Sequence, residues 1–110
     1  MKTMTPQELQ KQLSAKTCYV LDVRSEEKYQ AEHIVHGNII SENIPKANIL
    51  NLSQDDSESI RTLPTDKNII ITCTTGNSAR NCATVLEEKG YDVTVLEGGI
   101  TSWKQHQQED

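Results

Sequence analysis

The sequence predicts an α/β domain in which a mostly parallel β-sheet is covered by helices on both faces. Short aliphatic runs alternate with stretches of helical periodicity along the whole chain, and this alternation is typical of βα units. The aliphatic runs are nearly continuous, as in strands that are buried on both faces. A length of 110 residues without internal repeats predicts one domain over residues 1–110.

The first half of the chain contains clear helix starts. Thr5-Pro6-Gln7-Glu8 resembles a capping box with proline at the first helical position, and predicts a helix to about residue 15. Residues 18–23 form an apolar run that predicts a buried strand. Ser25 is a candidate cap for a short helix ending near residue 31. Residues 33–46 are predicted as a long loop with a brief extended piece at 39–40, followed by a strand at 47–50.

The second half begins with a predicted acidic helix over residues 53–61 and a turn at 64–68. Residues 68–73 are the clearest strand. A helical pattern then runs from residue 78 or 79 to 89, and Gly90 follows it as a C′ residue. Residues 92–96 predict a strand, Gly98-Gly99 a turn, and residues 100–107 a final helix.

Composition excludes several classes of function. The net charge of −5 argues against nucleic-acid and anionic-membrane partners. No apolar stretch approaches the length of a membrane span, and residues 1–6 lack an apolar signal region, so a cytoplasmic location is expected. Three Cys and three His are not spaced as metal ligands, so neither a metal site nor a cofactor site is predicted.

The segment that follows the clearest strand carries the predicted chemistry. Cys73 stands at the strand end, and Thr74, Thr75, Gly76, Asn77 and Ser78 link it to a helix. Loop amides can surround an anion, and a helix N-terminus adds a partial positive charge. Both effects favour a thiolate, which is the nucleophilic form of cysteine. A buried strand cysteine beside an ordinary turn is the structural alternative.

Four segments resemble the rhodanese-like domain of single-domain sulfurtransferases. They are Leu21-Asp22-Val23-Arg24 with Glu32-His33-Ile34, then Ile44-Pro45-Lys46-Ala47, then Cys73-Thr74-Thr75-Gly76-Asn77, and finally Leu96-Glu97-Gly98-Gly99-Ile100 with Trp103. They occur in the family's order, at near-family spacing, over nearly the whole chain. The resemblance implies a three-layer fold with a mostly parallel five-stranded sheet.

The resemblance also implies a reaction. Cys73 would take a sulfane sulfur from a small donor, become a persulfide, and pass the sulfur to a thiol or cyanide-like acceptor. A protein persulfide is a further candidate partner. Asp22 and Arg24, at a neighbouring strand end, and Arg80 are the expected supporting residues. Asp22 and Arg24 have a structural alternative, in which Asp22 binds backbone amides and Arg24 pairs with Glu26 or Glu27.

Three departures from the family pattern affect the expected substrate. Thr74 and Ser78 stand where many family loops carry Arg, so thiosulfate is expected to be a poor donor. About ten extra residues separate Ile34 from Ile44, and Glu32 replaces the usual Gly.

Two other functions stay open. A non-catalytic rhodanese-like interaction or regulatory module is one. The other is a cell-cycle phosphatase or arsenate reductase of related fold, which needs five residues between Cys and Arg where six separate Cys73 from Arg80.

His33 and Cys82 are both interpreted as packing residues, although His33 could act as an acid–base group and Cys82 could resolve an oxidised Cys73.

Overall fold

A computed structural model describes residues 1–51 and 60–108. Within these residues the strands are β1 (Lys2–Met4), β2 (Cys18–Asp22), β3 (Ile39–Asn43), β4 (Ile69–Thr72) and β5 (Val93–Leu96). The helices are α1 (Pro6–Leu13), α2 (Glu26–Ala31), α3 (Lys46–Leu50), α4 (Asn77–Glu88) and α5 (Gly99–Gln108). The acidic helix predicted at residues 53–61 lies for the most part outside the described residues.

The described strands form one parallel sheet in the order β1-β5-β4-β2-β3. Alternate strand residues point to opposite faces, so Val20 and Ile70 belong to one apolar cluster while Leu21 and Ile71 belong to the other. Helices α1 and α5 cover the first face, and α3 and α4 cover the second. The predicted fold class, a sheet with helices on both faces, is therefore confirmed.

Local sequence signals correctly located several helix ends. Thr5 and Glu8 form the predicted reciprocal capping box at the start of α1. The Ser25 hydroxyl accepts a hydrogen bond from the Lys28 amide at the start of α2. Gly90 has a φ of 93° just after α4, as expected of a C′ glycine.

The prediction of a strand at residues 47–50 is wrong, because this segment is helix α3. The amide of Asn48 donates to the Pro45 carbonyl and that of Asn51 to the Ala47 carbonyl, which is helical bonding. A short apolar run does not distinguish a strand from a buried helical turn. The sheet position beside β2 is filled instead by β3, whose residues pair with all five residues of β2. The predicted loop thus contains a full strand rather than a two-residue extended piece.

Candidate active site

Cys73 lies directly after β4, at the carboxyl end of the sheet, where parallel α/β sheets bind their ligands. Its side chain is buried, with 4% of the residue exposed. The amide of Gly76 donates to its Sγ at 3.0 Å, and the amide of Ala79 donates at 3.4 Å. Gly76 is the N-cap of α4 and has a φ of 109°, a conformation that glycine adopts without strain. The loop and the first turn of α4 therefore direct amide dipoles at the sulfur.

The start of α5 holds the backbone of this loop. The amide of Ile100 donates to the Cys73 carbonyl at 2.8 Å, and that of Thr101 donates to the Thr74 carbonyl at 3.1 Å. Gly99 makes this approach possible, because a Cβ built there would lie 2.3 Å from the Cys73 oxygen. In the Gly98-Gly99 pair, the second position thus requires glycine for a steric reason.

A cavity of about 530 Å³ opens at the sulfur. The predicted loop residues Thr74, Thr75, Asn77 and Ser78 line it together with Cys73, whereas Gly76 is buried behind them. The remaining lining residues come from the β2–α2 and β3–α3 connections and the helices that follow them: Val23, Arg24, Ser25, Lys28, Pro45, Lys46 and Ala47. The cavity is large enough for a small organic molecule.

Asp22 and Arg24 are paired with each other beside the cavity. The Arg24 guanidinium donates to both Asp22 oxygens, with Nη2 at 2.8 Å from Oδ2, and Nη2 also donates to the Glu32 carbonyl at 2.6 Å. The Arg24 amide donates to Asp22 Oδ1 at 2.9 Å. The expected partners Glu26 and Glu27 are thus not the ones that bind Arg24. Through the bond to the Glu32 carbonyl, the pair connects the end of β2 to the segment that precedes the extra residues between Ile34 and Ile44. Arg24 also lines the cavity.

Two further predicted residues, Arg80 and His33, do not line the cavity. Arg80 is exposed on α4 and is not among the residues that line the cavity. His33 stacks on the Tyr29 ring with centroids 4.0 Å apart, and its Nδ1 lies 2.8 Å from the Tyr29 carbonyl oxygen. The packing interpretation of His33 agrees with these contacts.

The other two cysteines are buried at different places. Cys82 is fully buried on the inner face of α4, and burial, reinforced by the charge of Cys73, raises the pKa of its thiol to about 11. Cys18 begins β2, so it lies at the opposite end of the sheet from Cys73. Burial also raises the pKa of the Cys18 thiol. Both thiols are therefore held in their neutral form at neutral pH.

Sequence reasoning missed two cations at the cavity, Lys28 of α2 and Lys46 of α3. The only signal for Lys46 was its place after Ile44-Pro45 in a segment interpreted as loop and strand. Within residues 1–51 and 60–108 no cluster of His, Cys, Asp and Glu is arranged to hold a metal ion. No helix in the same residues has the length and apolar character needed to cross a membrane.

Comparisons with known proteins identify the family. A model of the Rhodanese-like domain matches residues 5–106, and the chain therefore belongs to the rhodanese-like domain family. A rhodanese-related protein from Thermoplasma volcanium has a similar structure, with a TM-score of 0.75 and 27% identity over 96% of this chain and 93% of that one.

Curated relatives named as sulfurtransferases are similar in sequence. Thiosulfate sulfurtransferase GlpE of Pseudomonas fluorescens is 29% identical over 100 residues, covering 90% of this chain and 82% of that protein. Probable adenylyltransferase/sulfurtransferase MoeZ of Mycobacterium tuberculosis is 29% identical over 98% of this chain. The chain spans about a quarter of the length of MoeZ, at 26%.

Proposed function

We propose that this protein is a sulfurtransferase that carries sulfur as a persulfide on Cys73. The observation that carries the proposal is the pair of amide donors, Gly76 and Ala79, on a thiol that borders an open cavity. These donors stabilise a negative charge on the sulfur, and the same charge is present on a persulfide. The sulfurtransferase names of the relatives support the same reaction class.

The proposed reaction has two displacement steps. The Cys73 thiolate attacks the outer sulfur of a persulfide R–S–S⁻, the donor S–S bond breaks, and R–S⁻ leaves with the bonding electron pair. A thiolate or cyanide then attacks the outer sulfur of the Cys73 persulfide and regenerates the thiolate. Neither step requires an oxidant, a metal or a cofactor, and both are nucleophilic catalysis by one cysteine.

Intact-mass measurement tests the assignment of the carrier cysteine. After incubation with a sulfane donor, we expect the wild-type protein to gain one sulfur atom that cyanide removes. Cys73→Ser should gain none, while the matched variants Cys82→Ala and Cys18→Ser should gain it as the wild type does. A folded Cys73→Ser variant that still accepts and transfers sulfur would refute the proposal.

The proposed donor is an organic persulfide rather than thiosulfate. Thr74 and Ser78 line the cavity without any charge, so the thiosulfate dianion lacks the charge-assisted hydrogen bonds that arginines at these two loop positions would supply. The lysines of the cavity, Lys28 and Lys46, belong to other elements and not to the loop that surrounds the sulfur. We expect kcat/KM for thiosulfate to be at least roughly tenfold below that for a small organic persulfide. Equal or higher values for thiosulfate in steady-state assays would overturn this part of the proposal.

The phosphatase alternative receives little support from the site. An arginine that binds a transferring phosphate must reach the reacting group, and Arg80 is exposed outside the cavity. A non-catalytic module would fail the mass test, because it would not load sulfur on Cys73.

A further inference from the structure

The cavity beside Cys73 has a positive lining. Arg24, Lys28 and Lys46 border it, and its lining contains no acidic residue. The charge of Arg24 is balanced by Asp22, as described above. Within residues 1–51 and 60–108, neither Lys28 nor Lys46 has a carboxylate at ion-pair distance. In the part of the chain that the structure describes, the cavity therefore offers two ammonium groups, of Lys28 and Lys46, that no carboxylate neutralises.

Lys46 is held at the cavity by its backbone. Its amide donates to the Val23 carbonyl at 2.9 Å. The side-chain amide of Asn43 donates to the Asp22 and Arg24 carbonyls, which fixes the chain just before α3. Because the backbone is anchored on both sides of Pro45, the side chain of Lys46 starts from a defined position.

The ammonium of Lys46 lies close to the turn of α4 that contacts the sulfur. Its Nζ donates to the Ser78 Oγ at 3.5 Å. Ser78 directly precedes Ala79, whose amide donates to the Cys73 Sγ. The charge of Lys46 also lowers the pKa of Cys82, in opposition to the larger effect of burial. The field of this ammonium therefore reaches the Cys82 thiol on the inner face of α4.

We infer that Lys46 is a specificity-determining residue that binds a carboxylate on the organic tail of the sulfur donor. The inference rests on the function proposed above and names the class of donor. A cavity of about 530 Å³ with the apolar side chains Val23, Pro45 and Ala47 has room for a tail as well as the sulfur. Carboxylate is a common anionic group on small thiols, and it gains a charge-assisted contact with an ammonium that has no carboxylate partner among residues 1–51 and 60–108.

Three persulfides in which two methylenes join the sulfur to end groups of different charge test this inference. They are the persulfides of 3-mercaptopropionate, 2-mercaptoethanol and cysteamine, whose tails are negative, neutral and positive. In Lys46→Met we expect kcat/KM for the carboxylate donor to fall roughly tenfold, that for the hydroxyl donor to stay within about twofold, and that for the amine donor to stay or rise. Added salt should reduce the difference between donors in the wild type, because Lys46 is exposed.

Two matched variants separate recognition from structural effects. Lys46→Arg keeps the charge and should retain the preference for the carboxylate donor. Lys89→Met removes the same charge at the C-cap of the twelve-residue helix α4, about 18 Å from its start, and should change nothing. An equal fall for all three donors in Lys46→Met, or no fall for any, would overturn the inference.

A binding measurement keeps this inference separate from the proposed function. 3-(Methylthio)propionate carries the carboxylate tail, but its sulfur is a thioether that cannot be transferred, and its binding is followed by amide chemical shifts. Weaker binding to Lys46→Met than to wild type supports the inference even if no donor loads Cys73, a result that would refute sulfur transfer alone. Equal binding to both proteins overturns the inference even if sulfur transfer is efficient.

Discussion

Gly99 is the residue on which the shape of the Cys73 loop most directly depends. Its φ of 60° lies in the left-handed region, and a Cβ there would lie 2.3 Å from the Cys73 oxygen and 2.7 Å from the Thr74 oxygen. Both neighbours are backbone atoms, so they cannot move aside as a flexible side chain can. The carbonyls that α5 binds would have to shift, and the amides of the loop with them.

We expect Gly99→Ala to lower the free energy of unfolding by about 2–4 kcal/mol, because left-handed strain and overpacking add. Sulfur loading of Cys73 should fall with it. Gly90→Ala has left-handed strain but nothing within 4 Å, so about 1 kcal/mol is expected. Gly37→Ala has neither problem and should stay within about 0.5 kcal/mol. Urea unfolding compares the three, and equal losses for Gly99→Ala and Gly90→Ala would contradict the steric argument.

At the scale of one element, helix α4 both contributes a hydrogen-bond donor to the site and packs on the sheet. Its first turn presents an amide to the Cys73 sulfur. Its inner face, with Ala79, Cys82, Ala83 and Leu86 buried, packs against the sheet. The same packing that positions the first turn removes the Cys82 thiol from water, which is the main cause of its raised pKa.

The raised pKa of Cys82 predicts a loss of stability at alkaline pH. Its folded-state pKa of about 11 exceeds the ordinary 9.0, so between these values the folded protein binds more protons than the unfolded chain. The free energy of unfolding that the neutral Cys82 thiol contributes is fully present below pH 9 and is lost as pH rises through 11. We expect roughly 2–3 kcal/mol more loss over this range in wild type than in Cys82→Ala.

Urea unfolding under reducing conditions at several pH values measures this difference. Other alkaline groups titrate in both proteins, so their effects cancel in the comparison. Parallel pH profiles for wild type and Cys82→Ala would show that burial does not hold the thiol neutral.

At the scale of the whole molecule, the sheet is completed by β1, three residues that the sequence pattern did not reveal. Residues 2–4 pair with Thr94, Val95 and Leu96 of β5. Met4 is 6% exposed and packs in the cluster that also contains Ile100 of α5. Strand β1 therefore forms one edge of the sheet, and its Met4 belongs to the apolar cluster in which α5 packs.

Deleting residues 1–4 should destabilise the protein by about 2–4 kcal/mol, because it removes buried Met4 and leaves the β5 edge unpaired. An unpaired edge also favours self-association, so light scattering should increase. Lys2→Ala is the control: it removes the exposed Lys2–Asp92 ion pair and keeps the strand, and should cost less than about 1 kcal/mol. A monodisperse deletion variant of wild-type stability would mean that β1 does not support the sheet.

The sequence by itself determined the features that depend on neighbouring residues. The capping of α1 and α2, the C′ glycine after α4 and the strand before Cys73 each follow from signals within a few positions, because caps, turns and periodicity act over one or two turns of chain. The family motifs added the five-stranded fold. The amide donors at Cys73 were expected for the same local reason, since the loop and the helix start follow it directly.

Only the tertiary structure decided which distant residues meet. Strand β1 carries too short a pattern to recognise and exists because the β5 edge accepts it. Helix α3 replaced a predicted strand because β3 already occupies the place beside β2. Lys46 reaches Ser78, 32 residues away, only because the β3–α3 connection and the start of α4 lie at the same end of the sheet. Such contacts depend on the packing of whole elements, and no short stretch of sequence encodes that packing.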